Sequence, residues 1–183
     1  MPDSTGDPYE DYPQDQQDDL GGPKVVEIAS KMKTIGNEAF KAGNLHLALD
    51  KYQKGLRYLH ESPDISESDP PDTTELLRSI KTNLNLNCAL LHVKLRQYEE
   101  ATKSATYVLE EEKASDAEKA KALYRRALAL TAQKADEDAQ YDLEAAVKLA
   151  PGDSAIQNEL SLVKKRIAER TRKEKAAYKK FFE

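Results

Sequence analysis

The chain is poor in the residues that build disulfide frameworks, large aromatic cores and membrane spans. Its 183 residues include one cysteine, no tryptophan and only 7% aromatic residues. A single cysteine excludes an internal disulfide and indicates a reducing compartment. No apolar run approaches the roughly 20 residues that span a bilayer, and no signal-peptide core follows Met1. We therefore expect a soluble, cytoplasmic protein without membrane contact.

The charge is concentrated at the two ends of the chain, which the net value of -5 conceals. Residues 1–23 hold seven acids and no Lys or Arg, together with Pro, Gly and Gln. Such a segment cannot bury enough apolar surface to fold alone, so an acidic disordered linker is predicted there. Residues 164–180 hold nine bases against two acids, so the far end is strongly basic.

Three stretches between these ends repeat one pattern of small residues. Each has a small residue followed twelve positions later by an alanine: Gly36 and Ala48, Ala89 and Ala101, Ala127 and Ala139. This spacing resembles that of the tetratricopeptide repeat (TPR), in which two antiparallel helices pack through small residues at their closest approach. The resemblance implies an all-α fold, a right-handed α-solenoid of three repeats with a concave groove and a long C-terminal capping helix.

The intervals between the repeats place the domain boundaries. The small residues are 53 positions apart between the first two repeats and 38 apart between the next two, against a repeat length of about 34. An insertion is therefore expected after the first repeat. The predicted TPR domain covers 24–152, with repeats at about 24–60, 70–112 and 116–150, and a basic helix follows over 153–183. Helices are expected at 24–42, 45–60, from near 70, from Tyr98, at 116–133, at 137–149 and up to Phe182.

The last helix carries an apolar stripe of four residues, Ile156, Leu160, Val163 and Ile167. Their spacing of four and three places them on one face, which can cover the open end of the third repeat. Within that repeat, Asp136 stands where the TPR pattern has an aromatic residue. A looser turn is expected there. Cys88 falls at a core position of the second repeat, so a buried structural thiol is expected.

The first helix of each repeat is expected to face the groove. When the small residue is counted as position 8, the groove positions hold cations, carboxamides and one aromatic residue: Lys33, Asn37, Phe40, Lys41, Asn87, Lys121 and Arg125. None of these positions is acidic. Such donors suit carboxylates, and a peptide that ends in an acidic residue offers two carboxylates close together.

Lys33-x-x-x-Asn37, Asn87 and Lys121-x-x-x-Arg125 are similar, position by position, to the two-carboxylate clamp of TPR co-chaperones. Those domains bind the C-terminal Glu-Glu-Val-Asp tail of the 90-kDa heat-shock chaperone, and some bind that of the 70-kDa chaperone. The resemblance implies that the five side chains hold the terminal carboxylate and the last Asp, and that Phe40 lies near the Val.

Further runs resemble the TPR half of the large, forty-kilodalton fungal cyclophilins, over essentially 7–183. They are residues 36–41, 51–59, 121–127 and 173–181. The resemblance implies a prolyl isomerase domain before the TPR half, and this chain does not contain one. No enzymatic activity is therefore expected of this chain, and Met1 begins either a fragment or a truncated protein.

Less specific interpretations remain for several of these residues. The charged residues Lys33, Lys121 and Arg125 can form a solvated helix face, Phe40 can belong to the core, and Lys41 can be a rim contact or a solvated lysine. The alternative function is a TPR scaffold for another partner, with the basic C-terminal helix binding calmodulin or an acidic surface.

Other kinds of site have little support in the sequence. His46, His60 and His92 have no metal-ligand spacing, so neither a metal nor another cofactor is expected. No nucleophile–base pair or phosphate-binding loop is visible. Nucleic-acid binding is disfavoured because the chain outside its basic end is neutral to acidic.

Overall fold

The computed structural model describes residues 20–60 and 65–182. Most of the predicted acidic linker and part of the insertion after the first repeat lie outside these ranges. The described ranges contain helices and no strand, so the all-α expectation is confirmed. The helices are α1 (Gly22–Lys41), α2 (Leu45–His60), α3 (Thr73–Lys94), α4 (Tyr98–Glu110), α5 (Asp116–Ala132), α6 (Asp136–Leu149) and α7 (Ser154–Phe182).

Helix α1 begins two residues before the predicted start at 24, so the predicted linker ends earlier than residue 23. Pro23 lies in the first turn, where the proline's missing N–H would have no partner within the helix. The carbonyl of Gly21 accepts from the backbone N–H groups of Lys24 and Val25, which sets the start of the helix.

The residues form two compact units, one up to Asn87 and one from Cys88. In the first unit, α1 packs on α2 through Gly36. A methyl group on Gly36 would lie 2.6 Å from Cδ1 of Tyr52 and 3.2 Å from the carbonyl oxygen of Ala48. The small residue of the first repeat is therefore required by the close approach of the two helices.

All three helix pairs are joined by the same turn, in which one residue adopts a positive φ. These residues are Gly43 (80°), Arg96 (60°) and Lys134 (65°). In each turn the following N–H donates to the carbonyl five residues earlier: Asn44 to Ala39 at 2.9 Å, Gln97 to His92 at 2.8 Å and Ala135 to Leu130 at 2.9 Å. This is the Schellman motif that ends many helices. The expectation of a looser third turn is wrong, because its hydrogen bonds match those of the other two.

In the second unit, α7 covers the last helix pair through its apolar stripe. The stripe residues Ile156 and Val163 are buried in one cluster with side chains of α5 and α6 such as Ala127 and Leu143. Burial of an aliphatic side chain of this size stabilises the fold by about 1.5–3 kcal/mol. The helix starts at an Asp153 cap, whose Oδ1 accepts from the N–H groups of Ala155 and Ile156. The capping role predicted for this helix agrees with its packing.

Ion pairs attach α7 to α6 beside this apolar contact. Arg166 Nε donates to Asp136 Oδ1 at 3.0 Å, and Arg166 Nη2 donates to Thr131 Oγ1 at 3.2 Å. Arg170 pairs with Glu137, and Lys164 Nζ lies 2.9 Å from Glu144 Oε1. Three of the bases at the basic end therefore neutralise acids of the third repeat.

The remainder of α7 differs from this anchored part. Every residue from 171 to 181 is exposed, including Tyr178 and Phe181. Across residues 20–60 and 65–182, the structure contains no helix that is both long and apolar enough to span a membrane.

Candidate peptide-binding site

Lys33, Asn37 and Phe40 lie on α1, beside the stripe that packs into the core. The spacing of four and three residues places them on one side of the helix. All three are half-buried. Within the described part of the chain, the ammonium group of Lys33 has no hydrogen-bond or ion-pair partner. Its three N–H donors can therefore bind an anion.

The side chain of Asn37 is held by α2. The hydroxyl of Tyr52 donates to Asn37 Oδ1 at 2.7 Å, and Tyr52 is only 3% exposed. The hydrogen bond occupies the carbonyl end of the carboxamide. The two N–H groups at its other end can donate hydrogen bonds to an incoming carboxylate.

Asn87 on α3 differs from the other asparagines of its helix. Asn83 and Asn85 each donate their Nδ2 to the backbone carbonyl four residues earlier, at 2.8 and 2.9 Å. Asn87 is half-buried, and its carboxamide has no hydrogen-bond partner among the residues that the structure describes. Asparagine has a low intrinsic helix propensity and is disfavoured in the middle of a helix. Its presence there is consistent with a ligand-binding role.

Lys121 and Arg125 lie one turn apart on α5. Lys121 is exposed, and its ammonium group has no ion pair or hydrogen bond in the described ranges. Arg125 is half-buried. The helix begins with a capping box, in which Ser115 and Glu118 satisfy each other's backbone N–H groups. Because the start of the helix is fixed in this way, both cations are carried on a rigid element.

Arg126, the next residue after Arg125, has a structural role. Its Nε and Nη2 donate to the two carboxylate oxygens of Asp142 on α6 at 2.7 and 2.8 Å, and Nη1 donates to Thr106 Oγ1 on α4 at 3.1 Å. The hydrogen bonds to Asp142 raise the pKa of the guanidinium above its already high ordinary value. Two adjacent arginines thus differ in function, because one faces the interior between three helices.

The predicted site residues therefore fall into two sets, one in each compact unit. The first unit contains Lys33, Asn37, Phe40 and Asn87, and the second contains Lys121 and Arg125. Within each set on a single helix, the members share one face. The assembly of both sets into one clamp stays a prediction. In the described ranges, no group of three or more His, Cys, Asp or Glu side chains could hold a metal ion.

No protein-family model matches the chain. Among curated proteins, it is 38% identical over 183 residues to peptidyl-prolyl cis-trans isomerase D of Cryptococcus neoformans. The match covers 97% of this chain and 49% of the relative. It is 37% identical over 197 residues to the protein of the same name from Mycosarcoma maydis, with 98% and 50% covered. The chain spans about half the length of the curated relatives it matches.

Solved structures with this fold are TPR domains. The C-terminal TPR-containing domain of an FK506-binding protein from Plasmodium falciparum matches with a TM-score of 0.72 and 27% identity, over 84% of this chain and 97% of the other. The Hsp90 co-chaperone Cns1 from Saccharomyces cerevisiae matches with a TM-score of 0.69 and 25% identity, over 85% and 44%. The chain is a TPR domain, and it is similar to the fungal isomerase D proteins over about half of their length.

A third solved structure shows a domain of this kind with a peptide. The second TPR domain of human RPAP3, in complex with the HSP70 peptide SGPTIEEVD, matches the chain with a TM-score of 0.56 and 25% identity, over 79% and 98%. These likenesses confirm the predicted α-solenoid fold class and the predicted resemblance to the TPR half of the fungal proteins.

Sequence reasoning missed one residue beside the predicted site. This residue is Tyr52, whose ring packs against Gly36 and whose hydroxyl also holds Asn37. Tyr52 stands sixteen residues after Gly36 and fifteen after Asn37, so it is opposite both across the antiparallel helix pair. The combination of Gly36, Asn37 and Tyr52 was therefore the signal available in the sequence of this TPR domain.

Proposed function

We propose that the TPR domain is a co-chaperone module that binds the C-terminal Glu-Glu-Val-Asp tail of the 90-kDa heat-shock chaperone. In this proposal Lys33, Asn37, Asn87, Lys121 and Arg125 form a two-carboxylate clamp, and Phe40 supports the Val of the tail. The single observation that carries the proposal is the contrast between these donors and their neighbours. Asn83, Asn85 and Arg126 have internal partners, whereas Lys33, Asn87 and Lys121 have none among the described residues.

The solved relatives support the same class of partner. Cns1 is an Hsp90 co-chaperone, and the RPAP3 domain was solved with an HSP70 peptide that ends in Glu-Glu-Val-Asp. The 70-kDa chaperone tail ends in the same four residues in that peptide. We therefore propose that the 70-kDa chaperone is a second partner, bound by the same donors.

The number of contacts fits a modest affinity. Hydrogen bonds to charged groups contribute about 1.5–3 kcal/mol each, and five donors could supply several of them. Ordering a flexible peptide and its lysine partners offsets much of this gain. The balance corresponds to micromolar binding, at about -8 kcal/mol. We accordingly propose a reversible interaction, made in the cytoplasm without a cofactor.

This role requires no catalysis by the chain. The proposed clamp consists of hydrogen-bond donors with no acid–base pair, and the chain matches only about half of each isomerase-named relative. We propose that it acts as the targeting part and contributes no prolyl isomerase activity. A peptide isomerisation assay checks this, and a rate above the uncatalysed background would contradict it.

The basic end of α7 gives less support to the alternative partner. Lys164, Arg166 and Arg170 pair with acids of α6, so these bases are used in capping the repeat domain. The exposed residues 171–181 retain a basic character, but the comparisons offer no support for calmodulin. The C-terminal helix is therefore best described as a cap with a charged extension.

The test of the proposal is calorimetric titration with two versions of one nonapeptide that ends in Glu-Glu-Val-Asp. The first has a free terminal carboxylate, and the second is amidated there. We expect at least tenfold weaker binding of the amidated peptide, because one of the two clamped carboxylates is replaced by a neutral group. Equal affinities would contradict a carboxylate clamp and favour a TPR scaffold for another ligand.

A further inference from the structure

We propose that Tyr52 is a positioning residue for peptide binding, which holds the carboxamide of Asn37 so that its N–H groups face the ligand. The inference rests on the proposed function, in which Asn37 binds a carboxylate. It assigns a binding role to a buried residue that does not touch the peptide.

An asparagine side chain has one end that suits a carboxylate and one that opposes it. Its amide nitrogen donates two hydrogen bonds, and its carbonyl oxygen only accepts. A carboxylate is also only an acceptor, so a carboxamide turned by 180° would place two oxygens against each other. Asn37 therefore binds an anion well only when its carbonyl is directed elsewhere.

The hydroxyl of Tyr52 supplies that direction. It lies 2.7 Å from Asn37 Oδ1 and donates to it. In the turned arrangement the amide nitrogen would donate to the hydroxyl instead, and Oδ1 would face the ligand. Because the hydroxyl can donate or accept, it fixes the place of the carboxamide, and a bound carboxylate selects the first arrangement, which is the one in the structure.

The tyrosine is held firmly enough to act in this way. It is 3% exposed, and its ring lies against Gly36, where even a methyl group would approach Cδ1 to 2.6 Å. Asn37 is the residue directly after Gly36, so the contact that fixes the ring also fixes the distance to the carboxamide. Preorganisation of this kind improves affinity because less side-chain freedom is lost on binding.

The substitution Tyr52→Phe removes the hydroxyl and keeps the ring. Tyr58→Phe is the matched control, because Tyr58 lies on the same helix and is also buried, at 5% exposed, but its hydroxyl has no hydrogen-bond partner within the described residues. We expect Tyr52→Phe to weaken binding of the free-carboxylate nonapeptide about fivefold in calorimetry, the value for loss of one neutral hydrogen bond. Tyr58→Phe should leave the affinity unchanged.

A double-mutant cycle with Asn37→Ala separates positioning from a general effect on stability. In the Asn37→Ala background, Tyr52→Phe should cause no further loss of affinity, because the group that it positions is gone. An unchanged affinity of Tyr52→Phe, or an equal loss in both backgrounds, would overturn the inference. The proposed function would still stand if Asn37→Ala alone weakened binding, and it would fail with the inference if the wild-type domain did not bind the peptide.

Discussion

The ion pair between Arg126 and Asp142 leads to the most quantitative stability prediction. Asp142→Ala removes a carboxylate whose side chain is 3% exposed, opposite a guanidinium that is 24% exposed. Both hydrogen bonds are short, at 2.7 and 2.8 Å, and the pKa of Arg126 is raised by them. The substitution therefore leaves a largely buried cation without its counter-charge.

The loss of one partner from a buried pair costs about 3–5 kcal/mol. Thr106 still accepts from Arg126 Nη1, so we expect a value near the lower end, about 3 kcal/mol. With a urea dependence of about 2 kcal/mol per molar, the unfolding midpoint should fall by about 1.5 M. Urea titration followed by circular dichroism measures this shift.

Glu100→Ala is the matched control. The Glu100–Lys103 ion pair is also 2.7 Å long, but its side chains are 52% and 70% exposed. An exposed pair of this kind is screened by solvent and contributes little to stability. If Asp142→Ala shifts the midpoint no more than Glu100→Ala does, burial does not determine the strength of these pairs and the reasoning fails.

Three further predictions concern packing, the C-terminal helix and the thiol. Gly36→Ala should destabilise the domain by about 1–3 kcal/mol in the same titration, because the clash with the Tyr52 ring exceeds the gain of about 1 kcal/mol in helix propensity; wild-type stability would contradict this. Asp136→Ala should accelerate hydrogen exchange in α7 but not in α1, since Arg166 loses its ion-pair partner on α6; unchanged protection of α7 would show that this ion pair does not hold the helix. Burial raises the pKa of Cys88 to about 12, so the unfolded thiol ionises first as the pH rises, and stability should fall between pH 9 and 12. This decline, measured by urea titration at each pH, should be smaller in Cys88→Ala, and parallel curves would contradict it.

Much of the fold could be predicted because a TPR records its packing in small residues at fixed intervals. The positive-φ residues Gly43, Arg96 and Lys134 follow the same intervals of 53 and 38 as the small residues do. The three turns therefore keep the register of the small residues. Residue type suggested otherwise at the third turn, because Asp136 is not aromatic, and the interval was the better guide.

Partners between distant side chains could not be predicted in the same way. Arg166 is thirty residues from Asp136, and their pairing requires α7 to lie against α6 in one particular register. The sequence showed only that the end of the chain is basic. It likewise showed Lys33, Asn87 and Lys121 as candidate donors, but it did not show that neighbouring polar groups such as Asn85 are satisfied internally.

The carboxylate clamp is tested most directly by reversing one charge on α5. Lys121→Glu should abolish binding of the free-carboxylate Glu-Glu-Val-Asp nonapeptide in calorimetry, with unchanged helical content in circular dichroism. Lys119→Glu is the control, since Lys119 lies on the same helix but about 200° away from Lys121 around its axis. We predict that Lys119→Glu retains wild-type affinity. Wild-type affinity of Lys121→Glu, or an equal loss in both variants, would contradict the clamp.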